Sequence, residues 1–170
     1  MKSGQTVRIE LEEGRSDTAG LRAVYASEFP SLVRLATALL GSVALGEEIV
    51  QDTFARMLER PPRLVATAKL PAYVRTAVLN ACRSKVRRLI LERRHAKTAV
   101  PTAKQPGPDH ELRKALLFLP MRQRQCVALR FYDDMTVDQI AELLDISAGS
   151  VKTHLHRGLQ KLREELGEHD

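Results

Sequence analysis

Small hydrogen-bonding and cationic side chains recur at helical spacing between Ser147 and Leu162. At about 100° per residue, they fall on one face of a helix. They are Ser150, Lys152, Thr153, His156 and Arg157. Hydroxyl and cationic groups are the ones that contact base edges and backbone phosphates in a DNA groove. The pattern therefore predicts a helix whose outer face binds DNA.

The other face of this helix is apolar and must pack inward, since Val151, Leu155, Leu159 and Leu162 share it. A shorter helix precedes it, and the spacing of Thr136 and Gln139 fits a capping box. The apolar face of that shorter helix consists of Ile140, Leu143 and Leu144.

Asp145-Ile146 predicts the turn between the two helices, and Ser147 is a suitable N-cap for the second one. A helical hairpin with a merely solvated charged face is the alternative interpretation. The caps, the short turn and the cationic face together favour a helix-turn-helix.

Composition favours a nucleic acid or another acidic partner. The chain has 170 residues, a formal net charge of +6 and a pI near 9.6, and its length allows one domain or two small ones. Cys82 and Cys126 lie in apolar helical patterns without metal-ligand spacing, which predicts buried, reduced thiols. No signal-peptide pattern or membrane-length apolar run is visible. We therefore expect a cytoplasmic, nucleoid-associated protein.

No arrangement of residues in the sequence suggests catalysis. Asp133-Asp134 is the only adjacent acidic pair late in the chain, and its place before Thr136 predicts a turn and cap. The histidines lack ligand spacing: His95, His110, His154, His156 and His169. The sequence thus predicts no enzymatic activity, no cofactor and no metal.

The first helices are expected after a loose tail at residues 1–20, where Val7, Ile9 and Leu11 alternate like a short strand. A helix is predicted from Leu21 to Leu40, with Pro30 bending or restarting it. The next is predicted over about Leu45–Glu59, with an inner face of Ile49, Val50, Thr53, Phe54, Met57 and Leu58. Its outer face carries Glu48, Gln51, Asp52 and Arg56. The pattern alone favours solvation of this face over docking onto a basic protein surface.

A basic loop and a long cationic helix follow. Pro61-Pro62 interrupts helical periodicity, which makes residues 59–70 a loop of a length that is often functional. A long helix is predicted from Pro71, with an inner stripe of Tyr73, Val74, Ala77, Val78 and Ala81. Its second half carries Arg83, Lys85, Arg87, Arg88, Arg93, Arg94 and Lys97. A one-sided basic run of this kind favours contact with backbone phosphates.

A linker is predicted at 98–108, where prolines, a glycine and small polar residues cannot form a core. It separates a helical domain at 21–97 from a second one beginning near 109. In the second domain, helices are predicted at His110–Leu119 and Met121–Tyr132, the latter with Val127, Ala128 and Phe131 inward. The predicted fold is all-α, with two small helical domains joined by a flexible linker.

The order of these segments resembles one family, the bacterial RNA polymerase sigma factors of the extracytoplasmic-function (ECF) type. The resemblance to region 2 of these factors lies in LVRLATALLG with GEEIVQDTFARML, and then in LPAYVRTAVLNACRSKVRR. The resemblance to region 4 lies in LPMRQRQCVALRFYDDMTVDQIAELLDISAGSVKTHLHRGLQKLREEL. The resemblance implies region 2 at 21–97 and region 4 at 109–170. It also implies three partners: core RNA polymerase through its clamp helices and flap, promoter DNA, and an anti-sigma factor.

The resemblance also implies roles for individual residues. The residues implied to bind the clamp helices of the polymerase are Glu48, Gln51, Asp52 and Arg56. The residues implied to contact the minus-ten element, including a flipped base that the loop captures, are Arg60, Arg63, Lys69, Asn80, Arg83, Ser84 and Arg87. The minus-thirty-five element is read by Ser150, Lys152, Thr153, His156 and Arg157.

Two positions depart from the family pattern: Asp145 stands where glycine is usual in the turn, and Tyr73 where tryptophan is common. Aspartate tolerates the left-handed backbone better than most residues, so the turn is expected to form. A helix-turn-helix is also compatible with two other functional classes: a dimeric regulator that binds an operator, and an enzyme acting on nucleic acid.

Overall fold

Seven α-helices and one 3-10 turn make up the regular structure of the residues that the computed structural model describes. Those residues are 3–62, 67–96 and 110–167, with side chains described at 18–62, 68–95 and 110–167. The helices are α1 (Ser3–Leu40), α2 (Val43–Glu59), α3 (Leu70–Ala96), α4 (His110–Leu117), α5 (Met121–Phe131), α6 (Val137–Leu144) and α7 (Ala148–Gly167). The 3-10 turn is Thr67–Lys69. No strand occurs in these ranges, which confirms the all-α prediction.

The first helix begins much earlier than the sequence predicted. Its backbone is helical from Ser3, where we expected a loose tail with strand-like alternation. A single strand without a partner leaves its backbone hydrogen bonds unmade, whereas a helix makes them within its own segment. Pro30 lies inside α1 and does not divide it.

The N-terminal half consists of α1, α2 and α3 packed around one apolar core. Gly41 ends α1 in the left-handed region at φ 77°, and the Ser42 side chain accepts a hydrogen bond from the Leu45 amide to cap α2. The α1–α2 crossing needs Gly46, because a Cβ there would lie 2.6 Å from Thr37 Oγ1. The fully buried residues of this core include Leu21, Leu32, Leu35, Leu39, Val50, Val74, Val78 and Leu79.

The C-terminal half, α4 to α7, buries Leu116, Leu129, Ile140 and Val151, which belong to the same hydrophobic cluster as the buried residues of α1 to α3. The two halves touch: α1 contacts α4 and α5, and α3 contacts α6. The predicted linker at 98–108, together with Lys97, lies outside the described residues.

Three residues assigned to inner faces are exposed instead: Leu58 at 44%, Tyr73 at 43% and Phe131 at 58%. Leu58 and Tyr73 lie about 100° around their helices from the buried residues Met57 and Val74. They therefore stand at the edge of the apolar face, where the neighbouring helices cover it only in part. Phe131 faces a groove that no described element fills. Cys82 and Leu79 occupy the inner side of α3 in place of Tyr73.

Candidate nucleic-acid and protein interfaces

The helix-turn-helix forms with the caps that the sequence predicted. The Gln139 amide donates to Thr136 Oγ1 at 3.2 Å, and the Thr136 amide donates to Gln139 Oε1 at 2.8 Å, which completes the capping box. Asp145 adopts the left-handed conformation at φ 53° in the turn. Ser147 Oγ then caps α7 by accepting a hydrogen bond from the Ser150 amide at 3.0 Å.

The outer face of α7 is open to solvent. Its exposed side chains are Lys152, Thr153, His156 and Arg157. Ser150 is only half-exposed, and its hydroxyl lies 2.8 Å from the Ser147 hydroxyl, so it belongs to the cap as well as to this face. A helix presenting hydroxyl, imidazole and cationic groups is suited to a major groove.

The buried side of α7 determines how this helix packs in the C-terminal half. Val151 and Leu162 are buried, and Leu155 and Leu159 are partly buried. Gly158 is buried against α5, and a Cβ there would lie 2.9 Å from Val127 Cγ2. The close approach of α7 to α5 therefore depends on glycine at this position, which nothing in the apolar pattern indicated.

The outer face of α2 carries mixed charge. All four predicted residues are exposed: Glu48, Gln51, Asp52 and Arg56. Glu48 forms an ion pair with Lys85 of α3 at 3.5 Å, and Arg56 Nε donates to the Asp52 carbonyl at 3.2 Å. This face is thus linked electrostatically to the cationic helix beside it.

An open groove of about 500 Å³ runs between α2 and α3. It joins residues that the sequence had placed in two separate sets, because Glu48, Asp52 and Arg56 line it together with Arg60, Asn80 and Ser84. Lys85 and Arg88 also line it, although the sequence assigned neither a specific contact. Arg83, Arg87 and Lys69 are exposed outside the groove, and Arg63 lies outside the described residues.

A second groove, apolar and of about 510 Å³, lies in the C-terminal half and was not predicted from the sequence. Its walls come from α4, α5 and α7 and include Leu112, Leu116, Phe131, Leu159, Leu162 and Leu166. Part of this groove could have been predicted from the sequence, because Leu166 follows Leu159 and Leu162 at helical spacing. An exposed apolar groove of this kind suits the apolar face of a partner helix.

Neither cysteine is poised to react. Burial raises the pKa of the Cys82 thiol to about 12 and that of the Cys126 thiol to about 11, although nearby Arg122 opposes the second shift. In the part of the chain that the structure describes, no group of three His, Cys, Asp or Glu side chains is placed to hold a metal ion. None of the described helices has the length and apolarity needed to span a bilayer.

Comparison with known proteins assigns both halves. Residues 24–90 match the family model described as Sigma-70 region 2, and residues 109–162 match Sigma-70, region 4. The RNA polymerase sigma-E factor of Streptomyces coelicolor is 31% identical over 147 residues, covering 80% of this chain and 80% of that protein. The ECF RNA polymerase sigma factor SigL of Mycobacterium tuberculosis is 30% identical over 171 residues, covering 89% and 93%. The chain belongs to the ECF sigma factors.

A solved structure shares the fold of this sigma factor. The sigma factor RpoE, determined in complex with the anti-sigma factor NepR from Bartonella quintana, superposes with a TM-score of 0.70 at 20% identity. The likeness covers 86% of this sigma factor and 96% of that chain. The family predicted from the sequence motifs is confirmed by the two family models and by the relatives at about 30% identity, and the solved structure confirms the fold.

Proposed function

We propose that this ECF sigma factor is a transcription initiation factor that binds core RNA polymerase, directs it to specific promoters and catalyses no reaction itself. One observation carries the proposal. A single chain of this family presents a cationic helix-turn-helix face on α7 and, in its other half, an acidic α2 face beside the cationic α3. The face of α7 is suited to binding DNA. The α2 face is suited to binding a protein, and the α3 face beside it is suited to binding DNA. We place its action in the cytoplasm, at the nucleoid.

In this proposal α7 reads the minus-thirty-five element as duplex. Lys152, Thr153, His156 and Arg157 are exposed along one face of α7, and Ser150 begins that face. Arginine and lysine pair with guanine edges and phosphates, and threonine contacts either base edges or backbone. Region 4 at 109–170 would thus hold the upstream end of the promoter.

The minus-ten element is held as melted strand by region 2, at 21–97. The proposed contacts are Arg60, Arg63, Lys69, Asn80, Arg83, Ser84 and Arg87. Cations track the backbone of a single strand, and an already unpaired base is inexpensive to extrude into a pocket. Binding of this kind favours the open promoter over the closed one by mass action.

Core polymerase is proposed to bind at two places. Glu48, Gln51, Asp52 and Arg56 face solvent on α2, where the clamp helices of the largest subunit would dock. The apolar groove of the C-terminal half offers a surface for the flap, since it is open and lined by Leu112, Phe131 and Leu166 among others. The linker at 98–108 would join the two bound domains. An anti-sigma factor is a further proposed partner, as it is for the neighbouring RpoE, whose complex with NepR has been solved.

The division of labour is tested by the double substitution Lys152→Ala and Arg157→Ala. We expect upstream promoter binding by the holoenzyme to fall about tenfold or more, because each good base or phosphate contact is worth roughly 1–3 kcal/mol. Binding to core polymerase should stay unchanged. Gel shift on promoter DNA, with and without core polymerase, measures promoter binding, and native gel electrophoresis of the chain with core polymerase alone measures polymerase binding.

The matched control removes two exposed cations elsewhere, Arg22→Ala with Lys114→Ala. It lowers the net charge equally and should leave promoter binding near the wild-type level. Equal loss of polymerase and promoter binding in the α7 variant would contradict the proposed roles. Tight, polymerase-independent binding to a palindromic operator would instead support the dimeric regulator.

A further inference from the structure

Three side-chain hydroxyls lie near the start of α7, and all of them are hydrogen-bonded within the chain. Ser147 Oγ accepts from the Ser150 amide at 3.0 Å and lies 2.8 Å from the Ser150 hydroxyl. Further along the helix, the Thr153 hydroxyl donates to the Gly149 carbonyl at 3.0 Å. A bond from a helix hydroxyl to the carbonyl four residues earlier is local and needs no partner molecule. The outer face of α7 therefore has its hydroxyls already engaged.

The bond to Gly149 uses the single proton of the Thr153 hydroxyl. In the major groove, guanine O6 and N7 and thymine O4 are acceptors, so this hydroxyl would have to donate its proton to bind any of them. Donating to a base instead of to Gly149 exchanges one hydrogen bond for another and gains little. Better donors stand beside it, since Lys152 and Arg157 have no hydrogen bond or ion pair within the part of the chain that the structure describes.

The group that Thr153 leaves facing outward is its methyl group. Oγ1 and Cγ2 occupy different staggered positions on the same carbon, about 120° apart, so a hydroxyl turned toward the helix backbone leaves Cγ2 on the outer side. Thr153 is exposed, and a helical side chain leans over the preceding turn. Gly149 lies in that turn, and a Cβ there would have only Ser147 Oγ within 4 Å, at 3.9 Å. The surface beside the methyl group is therefore open.

We infer that Thr153 reads a thymine of the upstream promoter element through its Cγ2 methyl group, which packs against the thymine C5-methyl, and not through its hydroxyl. Among the four bases, only thymine carries a methyl group on the edge that the major groove exposes, and an apolar contact with it distinguishes T·A from the other pairs. The inference rests on the proposed function, because it requires α7 to enter the promoter duplex.

The residues around Thr153 supply the complementary contacts. Lys152 is its neighbour in the chain, and Arg157 lies one turn later on the same face; both are exposed. Their long cationic side chains can donate to guanine and to phosphates. Threonine is short, so it reaches a base edge only where the helix backbone comes close to the groove floor. The missing side chain at Gly149 permits that close approach.

The test removes the methyl group from the DNA side of the contact. Holoenzyme assembled from core polymerase and the full chain first selects duplexes from a pool that is randomised over the upstream element. A selected duplex is then made with deoxyuridine in place of one thymine at a time. Deoxyuridine keeps the hydrogen-bonding groups of thymine and lacks only its C5-methyl. For the wild-type chain, we expect one thymine at which this change raises Kd about fourfold, the loss that corresponds to one buried methyl group.

Deoxyuridine in the spacer between the two promoter elements is the DNA control, and it should leave Kd unchanged. Two substitutions at Thr153 then test the protein side. Thr153→Ser keeps the hydroxyl and removes the methyl group, so the ratio of Kd for uracil to Kd for thymine should fall from about four to about one. Thr153→Val keeps a methyl group and removes the hydroxyl, so the ratio should stay near four. Circular dichroism melts check that both chains fold.

A Thr153→Ser chain that still discriminates thymine from uracil would overturn the inference, and so would a Thr153→Val chain that does not. In either case the methyl group of Thr153 is not what senses the thymine. A wild-type holoenzyme that responds to deoxyuridine nowhere in the upstream element, or that selects no thymine there, overturns it as well. A holoenzyme that selects no sequence at all contradicts the proposed function instead, and that result appears before any deoxyuridine is used.

Discussion

Replacing Arg124 by methionine removes three hydrogen bonds while keeping a side chain of similar length. The acceptors are the carbonyl oxygens of Leu39, Leu117 and Leu119, and Arg124 as a whole is 7% exposed. These carbonyls lie at or just beyond helix ends, where the helix itself supplies no donor. Methionine leaves all three without their donor.

The expected cost follows from this count. A net contribution of about 1 kcal/mol for each hydrogen bond gives about 3 kcal/mol in the free energy of unfolding, or a Tm lower by roughly 6 to 12 °C for a chain of this size. A charged donor makes stronger bonds, but the burial that lowers the pKa of Arg124 also shows a desolvation cost that methionine avoids. The two corrections act in opposite directions.

Thermal and urea unfolding followed by circular dichroism measure the loss. Arg130→Met is the matched control on the same helix, because Arg130 is exposed and donates a single bond, to the Met135 carbonyl at 2.9 Å. It should cost less than about 1 kcal/mol. If Arg124→Met is no more destabilising than Arg130→Met, the reasoning that Arg124 holds three helix-end carbonyls is wrong.

Two further predictions concern the turn and the thiols. Asp145→Gly should raise the free energy of unfolding by up to about 1 kcal/mol, since glycine adopts the left-handed backbone without strain, whereas Asp145→Ala should lower it; a thermal melt that places alanine above glycine would contradict this. Cys82 and Cys126 should react with a disulfide reagent at pH 8 far more slowly in the folded chain than in denaturant. Their raised pKa values, about 12 and about 11, leave almost no thiolate at that pH, and rapid labelling of both in the native state would refute their burial.

Local chemistry made much of the candidate site predictable from the sequence. The capping box at Thr136 and Gln139, the left-handed Asp145 and the Ser147 cap were all predicted, and all are present. Each depends on residues within a few positions of one another, so side-chain type and spacing suffice to specify it. The exposed face of α7 followed from the same periodicity.

The margins of the apolar stripes were less predictable. Tyr73 and Phe131 are apolar or nearly so and fit the helical period, yet both are exposed. Periodicity gives the direction of a face but not how much of it a neighbouring helix covers. The apolar groove beside Phe131 is the result: a surface left open by the way α4, α5 and α7 meet.

The sequence by itself determined most of the helices, the helix-turn-helix with its caps, and the family, because those are encoded by local pattern and by motifs in order. Only the tertiary structure decided which halves touch and through which atoms. Arg124 and the Leu39 carbonyl are 85 residues apart in the chain. Since every residue has a backbone carbonyl, the sequence does not indicate which one a side chain will bind. Asp133 was expected to serve only in a turn and cap, and it also forms an ion pair with Arg75 of the N-terminal half. Contacts of this kind depend on where folded elements come to rest, which no local periodicity records.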